Sequence, residues 1–209
     1  FLLVDRYFLD LETDCVVVDN TDGACQAASH LAAFGHKRIA HISGVPCTAN
    51  EDRLEGYRLG LAKAKIAYNP EWVRTIVPVR DANSARFEPD DVGGYQEARH
   101  LLALPERPTA IFAGNDYLAL GAFKAIKEAG LRITDDIALV GFDDLKFSAL
   151  LEIPLTTVRQ PIEDKGAQAA TILLDLIEHG DSTPCHVMLP TALIVRESCG
   201  GAALVRPAP

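Results

Sequence analysis

The stretch that decides the fold is residues 107–144, RPTAIFAGNDYLALGAFKAIKEAGLRITDDIALVGFDD. Its apolar run Ala110–Ala113 predicts a buried strand, and the pattern of Tyr117–Ala129 predicts a helix that ends at Gly130. A second apolar run, Ile137–Phe142, predicts the next strand. A strand, a helix and a strand at this spacing predict a right-handed crossover between two parallel strands.

The same alternation extends upstream. It predicts a helix over residues 20–34, a strand at Arg38–Ile42, a helix at Asp52–Lys65, a strand at Trp72–Val77 and a helix at Tyr95–Leu104. Such a series is typical of an α/β fold, in which a mostly parallel sheet carries helices on both faces.

Downstream, the rhythm changes. Prolines bracket the segment Pro154–Pro161 and forbid a helix there, and a long amphipathic helix at Ile162–Glu178 and two short strands around Val187 and Leu193 follow. At such breaks a chain can pass from one lobe to another, so we expect two lobes. A cleft between lobes is where small ligands bind.

Composition excludes several classes of protein. Of 209 residues, 48% are hydrophobic and 23% are charged, which is ordinary for a globular protein. The 29 acidic and 20 basic residues give a net charge of -9, so these residues alone are not expected to bind nucleic acid. No apolar run approaches the ~18–20 residues that cross a bilayer, and we predict no membrane partner.

The cysteines and histidines indicate no metal site. The five cysteines are scattered without a CxxC pair and the six histidines share no ligand spacing, so we predict no metal, no cofactor and no disulfide framework. Free thiols favour a reducing compartment, here the cytoplasm. The chain starts at Phe1 without a signal-peptide pattern, and we expect it to be the interior of a longer protein.

Polar residues follow the predicted strands, where ligands of parallel α/β sheets bind. They are Asp5, Asp19, Asn20, Ser43, Asn115, Asp116, Asp143 and Asp144. Each alone could simply cap the next helix. Together they would form a polar floor suited to the hydroxyl groups of a sugar or another polyol.

Two further residues each allow two interpretations. Arg53, predicted at the start of a helix, either pairs with Glu51 or Asp52 or reaches into the cleft as a planar donor. Phe87, in a polar loop, either stacks on a ligand or covers the core. We expect alanine at Arg53 or Asp143 to abolish the ligand response and to leave folding nearly intact.

Motifs typical of enzymes are missing from the sequence. It contains no GxGxxG after a strand, no GxxxxGK[ST], no GxSxG and no HExxH. We therefore predict that the protein is not an enzyme. The alternative is an α/β enzyme that uses Asp116 or Asp143 with a metal ion.

Several strings, in order along almost the whole chain, resemble the regulatory domain of the lactose/galactose-repressor (LacI/GalR) family. They are VVVDN at 16–20, LAAFGHKRIAHISG at 31–44, RLEGY at 53–57, RPTAIFAGND at 107–116, LALGA at 118–122, VGFDD at 140–144, PLTTVRQP at 154–161 and VRES at 195–198. Any one string is weak, but the ordered set is strong.

The resemblance implies a type I periplasmic-binding-protein-like fold, with two Rossmann-like lobes joined by three crossovers. Residues 1–19 and 160–190 would form part of the N-terminal lobe, and residues 20–159 and 191–209 the C-terminal lobe. The rest of the N-terminal lobe and the DNA-binding helix-turn-helix would be absent from this chain.

The resemblance also implies a ligand site and a partner surface. The effector contacts would be Asp5, Arg53, Phe87, Asn115, Asp143 and Gln160, with Asp19 as a further candidate. The segment Asp90–Tyr95, which follows Phe87, is about two residues longer than is usual in the family. A homodimer would form through Tyr117–Ala129 and Leu145–Leu151.

The resulting expectation is a sugar-sensing domain of a bacterial LacI-type transcriptional regulator. A small-molecule effector, a sugar or a derivative, would bind between the lobes and change how an upstream helix-turn-helix binds operator DNA. The alternative is an exported sugar-binding protein that feeds a transporter.

Overall fold

The structure is a computed structural model that describes residues 1–77, 90–180 and 183–200. Within these ranges the chain forms nine strands and five α-helices. In chain order they are β1 (Leu2–Val4), β2 (Asp14–Val18), α1 (Asn20–Ala33), β3 (Ile39–Ser43), α2 (Thr48–Lys63), β4 (Val73–Thr75), α3 (Asp90–Leu102), β5 (Ala110–Ala113), α4 (Asp116–Glu128), β6 (Ala138–Asp143), β7 (Thr156–Arg159), α5 (Ile162–His179), β8 (His186–Leu189) and β9 (Ala192–Ile194).

The strands form two sheets. The larger sheet has the order β4-β3-β5-β6-β7-β9, in which β3 to β7 run parallel and β9 pairs antiparallel with β7. The smaller sheet has the order β1-β2-β8, and its strands are all parallel. The predicted α/β class with parallel sheets is therefore confirmed.

Helices cover both faces of the larger sheet, which explains why its central strands β5 and β6 are almost entirely apolar. Side chains of a strand alternate between the two faces. Phe112 of β5 accordingly packs with Leu31 and Leu61 from α1 and α2. Its neighbour Ile111 packs on the other side with Leu101 and Leu118 from α3 and α4.

Two glycines allow the helices of each pair to approach closely. A Cβ atom on Gly56 of α2 would lie 2.1 Å from the carbonyl oxygen of Thr21 in α1. A Cβ atom on Gly121 of α4 would lie 2.0 Å from the carbonyl oxygen of Asp91 in α3. Any larger residue at either position would have to push two helices apart.

Most element boundaries differ from the prediction by one or two residues, and three differences change the interpretation. Helix α2 starts at Thr48 rather than Asp52. The prediction missed its first turn because this turn is polar and carries no apolar periodicity. Helix α3 starts at Asp90 rather than near Tyr95, so the segment Asp90–Tyr95 is helical. The strand predicted from Trp72 starts as a 3-10 helix, Pro70–Trp72, which Asn69 caps by accepting from the Glu71 N–H.

The chain passes between the sheets three times, after β2, after β7 and after β8. Helix α5 follows the second passage and packs against β1 and β2 of the smaller sheet. No helix in the described ranges is long and apolar enough to span a membrane. The two sheets therefore face each other across the three connections, and the candidate site lies there.

Candidate functional site

A cavity of about 600 Å³ lies between the two sheets, at the carboxyl ends of their parallel strands. Among the described residues, its wall is built from the loops after β1, β2, β3, β5, β6 and β7 and from the first turns of α2, α3 and α5. The lining residues are Val4, Asp5, Arg6, Val18, Asn20, Val45, Cys47, Ala49, Asn50, Arg53, Asp90, Asn115, Asp143, Leu145, Gln160, Ile162, Lys165 and Gly166. This is the position at which open α/β sheets bind ligands.

Arg53 is a buried cation on the wall formed by the larger sheet, with 8% of its surface exposed. Its Nε donates to Oδ1 of Asn20 (2.8 Å) and its Nη1 donates to the carbonyl oxygen of Gly114 (2.6 Å). The guanidinium carbon lies 3.8 Å from the centre of the Phe142 ring, a cation–π contact. These contacts fix the plane of the guanidinium and aim its remaining nitrogen at the cavity.

The remaining nitrogen, Nη2 of Arg53, lies 3.8 Å from Oδ1 of Asp143. The prediction that Arg53 opens a helix is wrong, because α2 starts at Thr48 and Arg53 lies in its second turn. Among the described residues Arg53 makes no ion pair with Glu51 or Asp52, and Asp52 accepts from the Tyr7 hydroxyl (3.2 Å). Of the two interpretations of Arg53, the structure favours the cleft donor.

Arg53 also stabilises the fold, a role that its position in the sequence did not indicate. Its removal would leave the buried Asn20 amide and the Gly114 carbonyl without their donor. An unsatisfied buried polar group costs about 1–3 kcal/mol. The expectation that Arg53→Ala leaves folding nearly intact is therefore corrected.

Asp143 ends β6 and is the main carboxylate of this wall. Its Oδ1 accepts from Nε2 of Gln160 (2.6 Å), and its backbone adopts φ 118°. Burial raises the pKa of Asp143 to about 6, and the charge of Arg53 and the Gln160 hydrogen bond only partly oppose this rise. The carboxyl group is thus poised to exchange its proton close to neutral pH.

The neighbouring carboxylate of Asp144 points elsewhere. It accepts from Nε of Arg159 (2.6 Å) and from Nη2 of Arg196 (2.5 Å). The two side chains diverge where β6 ends at Asp143, since the next residue, Asp144, has a left-handed backbone with φ 55°. Asp143 faces the cavity.

On the opposite wall, Lys165 of α5 bridges two other cavity residues. Its Nζ donates to Oε1 of Gln160 (2.9 Å) and to the carboxylate of Asp5. Asp5 has φ 69°, in the left-handed region that an aspartate adopts more readily than most residues. Asp5, Lys165, Gln160, Asp143 and Arg53 therefore form one polar chain from the smaller sheet to the larger.

Lys165 was not identified from the sequence. It lies at the spacing of the apolar stripe of α5, between Ile162 and Ala169, where a charged residue is unexpected. That interruption is the signal that could have found it. Asn20, the partner of Arg53, was recognised only as one of many polar residues at strand ends.

The remaining predicted residues divide between capping and the cavity. Asn115 does both, since its Oδ1 caps α4 at the Leu118 N–H (2.8 Å) while its Nδ2 donates to Asp90 (2.6 Å) in the cavity wall. Asp19 caps α1 through the Asp22 N–H (2.8 Å) and is not among the described residues that line the cavity. Phe87 lies outside the described residues.

Asp116, the alternative metal ligand, is fully buried and has a different task. Its carboxylate accepts from the Ser148 hydroxyl (2.6 Å), the Thr157 hydroxyl (2.6 Å) and the Leu145 N–H (2.8 Å). It thereby holds the loop that follows Asp143. In residues 1–77, 90–180 and 183–200, no group of three His, Cys, Asp or Glu side chains could hold a metal ion.

A sequence profile for a periplasmic binding protein-like domain matches residues 28–199. The chain belongs to this family. The match covers all strands of the larger sheet, together with α5 and β8 of the smaller sheet, and it agrees with the position of the cavity between the sheets.

Relatives of this periplasmic-binding-protein-like chain include two repressors from Haemophilus influenzae. The HTH-type transcriptional repressor PurR is 37% identical over 190 residues, which are 89% of this chain and 53% of the relative. The ribose operon repressor is 32% identical over 198 residues, which are 94% of this chain and 56% of the relative. The chain therefore spans about half the length of the curated relatives that it matches.

Among solved structures, the transcriptional regulator CelR in complex with cellobiose is similar to this chain. The TM-score is 0.84 at 32% identity, over 94% of this chain and 58% of that one. The resemblance to the LacI/GalR family and the type I periplasmic-binding-protein-like fold are confirmed.

Proposed function

We propose that this chain is the sugar-sensing domain of a bacterial LacI-type transcriptional regulator and that its effector binds in the cavity between the sheets. The observation that carries the proposal is the convergence of Arg53 and Asp143 on that cavity at 3.8 Å. A carboxylate accepts from sugar hydroxyls and a guanidinium donates to them, so the pair suits both roles of a hydroxyl group. The similarity to a regulator solved with cellobiose supports a sugar or a sugar derivative.

In this proposal, the lobes are residues 1–19 with 160–190, and 20–159 with 191–209. A ligand that contacts Asp5 and Gln160 on one side and Arg53, Asn115 and Asp143 on the other favours one relative arrangement of the lobes. A ligand can shift a conformational equilibrium only through such differential contacts. The shift would change the spacing of the DNA-binding heads, which lie outside this chain, on operator DNA.

We further propose a homodimer that forms through Tyr117–Ala129 and Leu145–Leu151. Tyr117 is 50% exposed and lies 5.4 Å, between ring centres, from Phe147, and Leu150 is 82% exposed. Clustered apolar side chains at a surface are typical of protein interfaces. A regulator of this kind would act in the cytoplasm, where operator DNA lies.

The alternatives are less well supported. An exported sugar-binding protein would use the same fold, but the relatives above are transcriptional repressors. An enzyme is disfavoured by the same names and by Asp116, which is already fully engaged within the protein.

Two experiments test the proposal. Isothermal titration of this chain with neutral and acidic monosaccharides and with cellobiose should detect a sugar that binds, and no binding to any of them would contradict the proposal. The gene sequence upstream of Phe1 should encode a helix-turn-helix. A signal peptide or a lipidated cysteine there, without a helix-turn-helix, would instead support the transporter protein.

A further inference from the structure

We propose that the α5 wall of the cavity is an anion subsite, so that the preferred ligand is a polyol with one anionic group, such as a sugar acid or a sugar phosphate. The inference rests on the proposed function, because it concerns the same cavity. It goes beyond it by naming the chemical class of ligand.

The first argument is the burial of Lys165. Of the α5 residues, all within the described part of the chain, Lys165 is the only buried one, with 6% of its surface exposed. A buried ammonium group needs partners for its three N–H donors. Asp5 and Gln160 occupy two of them, and among the described residues no acceptor occupies the third. One donor is therefore left for a ligand.

The second argument is the unequal burial of the two partners in the ion pair between Lys165 and Asp5. Lys165 has 8% of its side chain exposed, whereas Asp5 has 57% exposed. Asp5 can turn to water at little cost, but Lys165 cannot. An anionic group of a ligand could therefore bind beside Asp5 and form a charge-assisted hydrogen bond with the remaining N–H of Lys165, which is stronger than a bond between neutral groups.

The third argument is the charge of this wall. Arg6 also lines the cavity and makes no hydrogen bond or ion pair with another described residue, so the wall holds two cations against the single carboxylate of Asp5. The other carboxylates of the cavity are engaged on the opposite wall, Asp143 beside Arg53 and Asp90 with Asn115. The described lining as a whole holds three cations and three carboxylates, so the positive excess is local to the side of Arg6 and Lys165, and an anionic group would bind there.

The opposite wall then receives the hydroxyl groups. Asp143, Arg53 and the Asp90–Asn115 pair offer acceptors and donors there, as the proposed function requires. The ligand would span the cavity with its anionic end at α5.

Calorimetric titration of the whole chain with matched pairs of sugars tests the inference. D-galacturonate is compared with D-galactose, and D-glucuronate and glucose 6-phosphate are each compared with D-glucose. We expect at least one anionic ligand to bind ten- to a hundredfold more tightly than its neutral partner. Comparing the uronates with glucose 6-phosphate shows whether the subsite prefers a carboxylate or a phosphate group. Lys165→Met, which suits the apolar stripe of α5, should reduce the ratio of anionic to neutral affinity to within about twofold, whatever the affinity for the neutral sugar becomes. Lys63→Met, at the exposed end of α2, is the matched control.

The outcomes separate the two proposals. If a neutral sugar binds as tightly as its acid, or if Lys165→Met keeps the preference, the anion subsite is overturned while the sugar-sensing function stands. If no sugar binds, neutral or anionic, the proposed function fails as well. Lys165→Gln, which keeps a polar head at the same position, provides the same test should the methionine variant fold poorly.

Discussion

The guanidinium of Arg53 and the carboxylate of Asp143 face each other across 3.8 Å at the wall of the cavity. One residue comes from the second turn of α2 and the other from the end of β6. The separation is longer than a hydrogen bond, so neither group is fully satisfied by the other. The pair is held apart by Asn20, Gly114 and Gln160, and this leaves both groups available to a ligand.

Replacing Arg53 should damage both stability and binding. Arg53→Ala is expected to lower the free energy of unfolding by about 3 kcal/mol, because two buried acceptors lose their donor and Asp143 loses its counter-ion. Urea denaturation measures the loss. Replacing the exposed Arg58 of the same helix by alanine is the control, and an equal, small effect for both variants would contradict the account.

Ligand affinity should depend on pH through Asp143. Burial raises the pKa of this carboxyl group to about 6, and Arg53, Gln160 and Lys165 favour its ionised form while Asp116 opposes it. A ligand hydroxyl donates to the ionised form, so affinity should fall by up to tenfold per pH unit below pH 6 and level off above it. Titration of a neutral sugar or a sugar carboxylate between pH 5 and 8 measures this, and Asp143→Asn should flatten the profile. A wild-type profile as flat as that of the variant would argue against Asp143 as the acceptor.

Stability should depend on pH through His41. This residue of β3 is fully buried between Tyr57 and Phe112, and burial lowers its pKa from about 6.5 to about 4. A histidine that is neutral when folded stabilises the protein above pH 6.5, and this contribution is lost as pH falls towards 4. The raised pKa of Asp143 acts oppositely, since its contribution is present below pH 4 and is lost as pH rises through about 6.

The two contributions can be separated with variants. In the Asp143→Asn background, the free energy of unfolding from urea denaturation should decrease from pH 7.5 to pH 5. The further change His41→Phe, which keeps an aromatic ring between its two neighbours, should reduce that decrease, and His30 and His36, whose pKa values burial also lowers, should account for the rest. An unchanged slope would show that His41 does not titrate on unfolding.

Self-association should depend on the exposed surface near Leu150. Leu150→Glu places a charge at the proposed interface and should weaken the dimer at least tenfold, as measured by sedimentation equilibrium. Leu59→Glu is the control, because Leu59 is an exposed leucine on α2 outside the proposed interface. Equal dimerisation of both variants would place the interface elsewhere.

The sequence predicted the fold and part of the site for physical reasons. Runs such as Ala110–Ala113 are apolar because both faces of the sheet are covered, so they mark buried strands, and ligand-facing residues such as Asp143 follow where those strands end. Local patterns do not report which distant groups meet. The contact between Lys165 and Asp5 and the support of Arg53 by Asn20 arise only when the chain has folded.

The first residues of the helices could also not be predicted from apolar periodicity. The first turn of α2 is polar, so its apolar stripe begins after the helix does, and the prediction misplaced Arg53. Asp19 and Asn115 show the ambiguity of polar residues at strand ends, because one caps a helix and the other caps and lines the cavity.

The most direct test compares two neighbouring carboxylates by calorimetric titration with the sugar that the wild-type chain binds most tightly. Asp143→Asn should weaken binding ten- to a hundredfold, since a hydrogen bond to a charged group contributes about 1.5–3 kcal/mol. Asp144→Asn, whose carboxylate is turned to Arg159 and Arg196, should bind as the wild type does. Undiminished binding by Asp143→Asn, or a loss confined to Asp144→Asn, would contradict the assignment of this cavity as the sugar site.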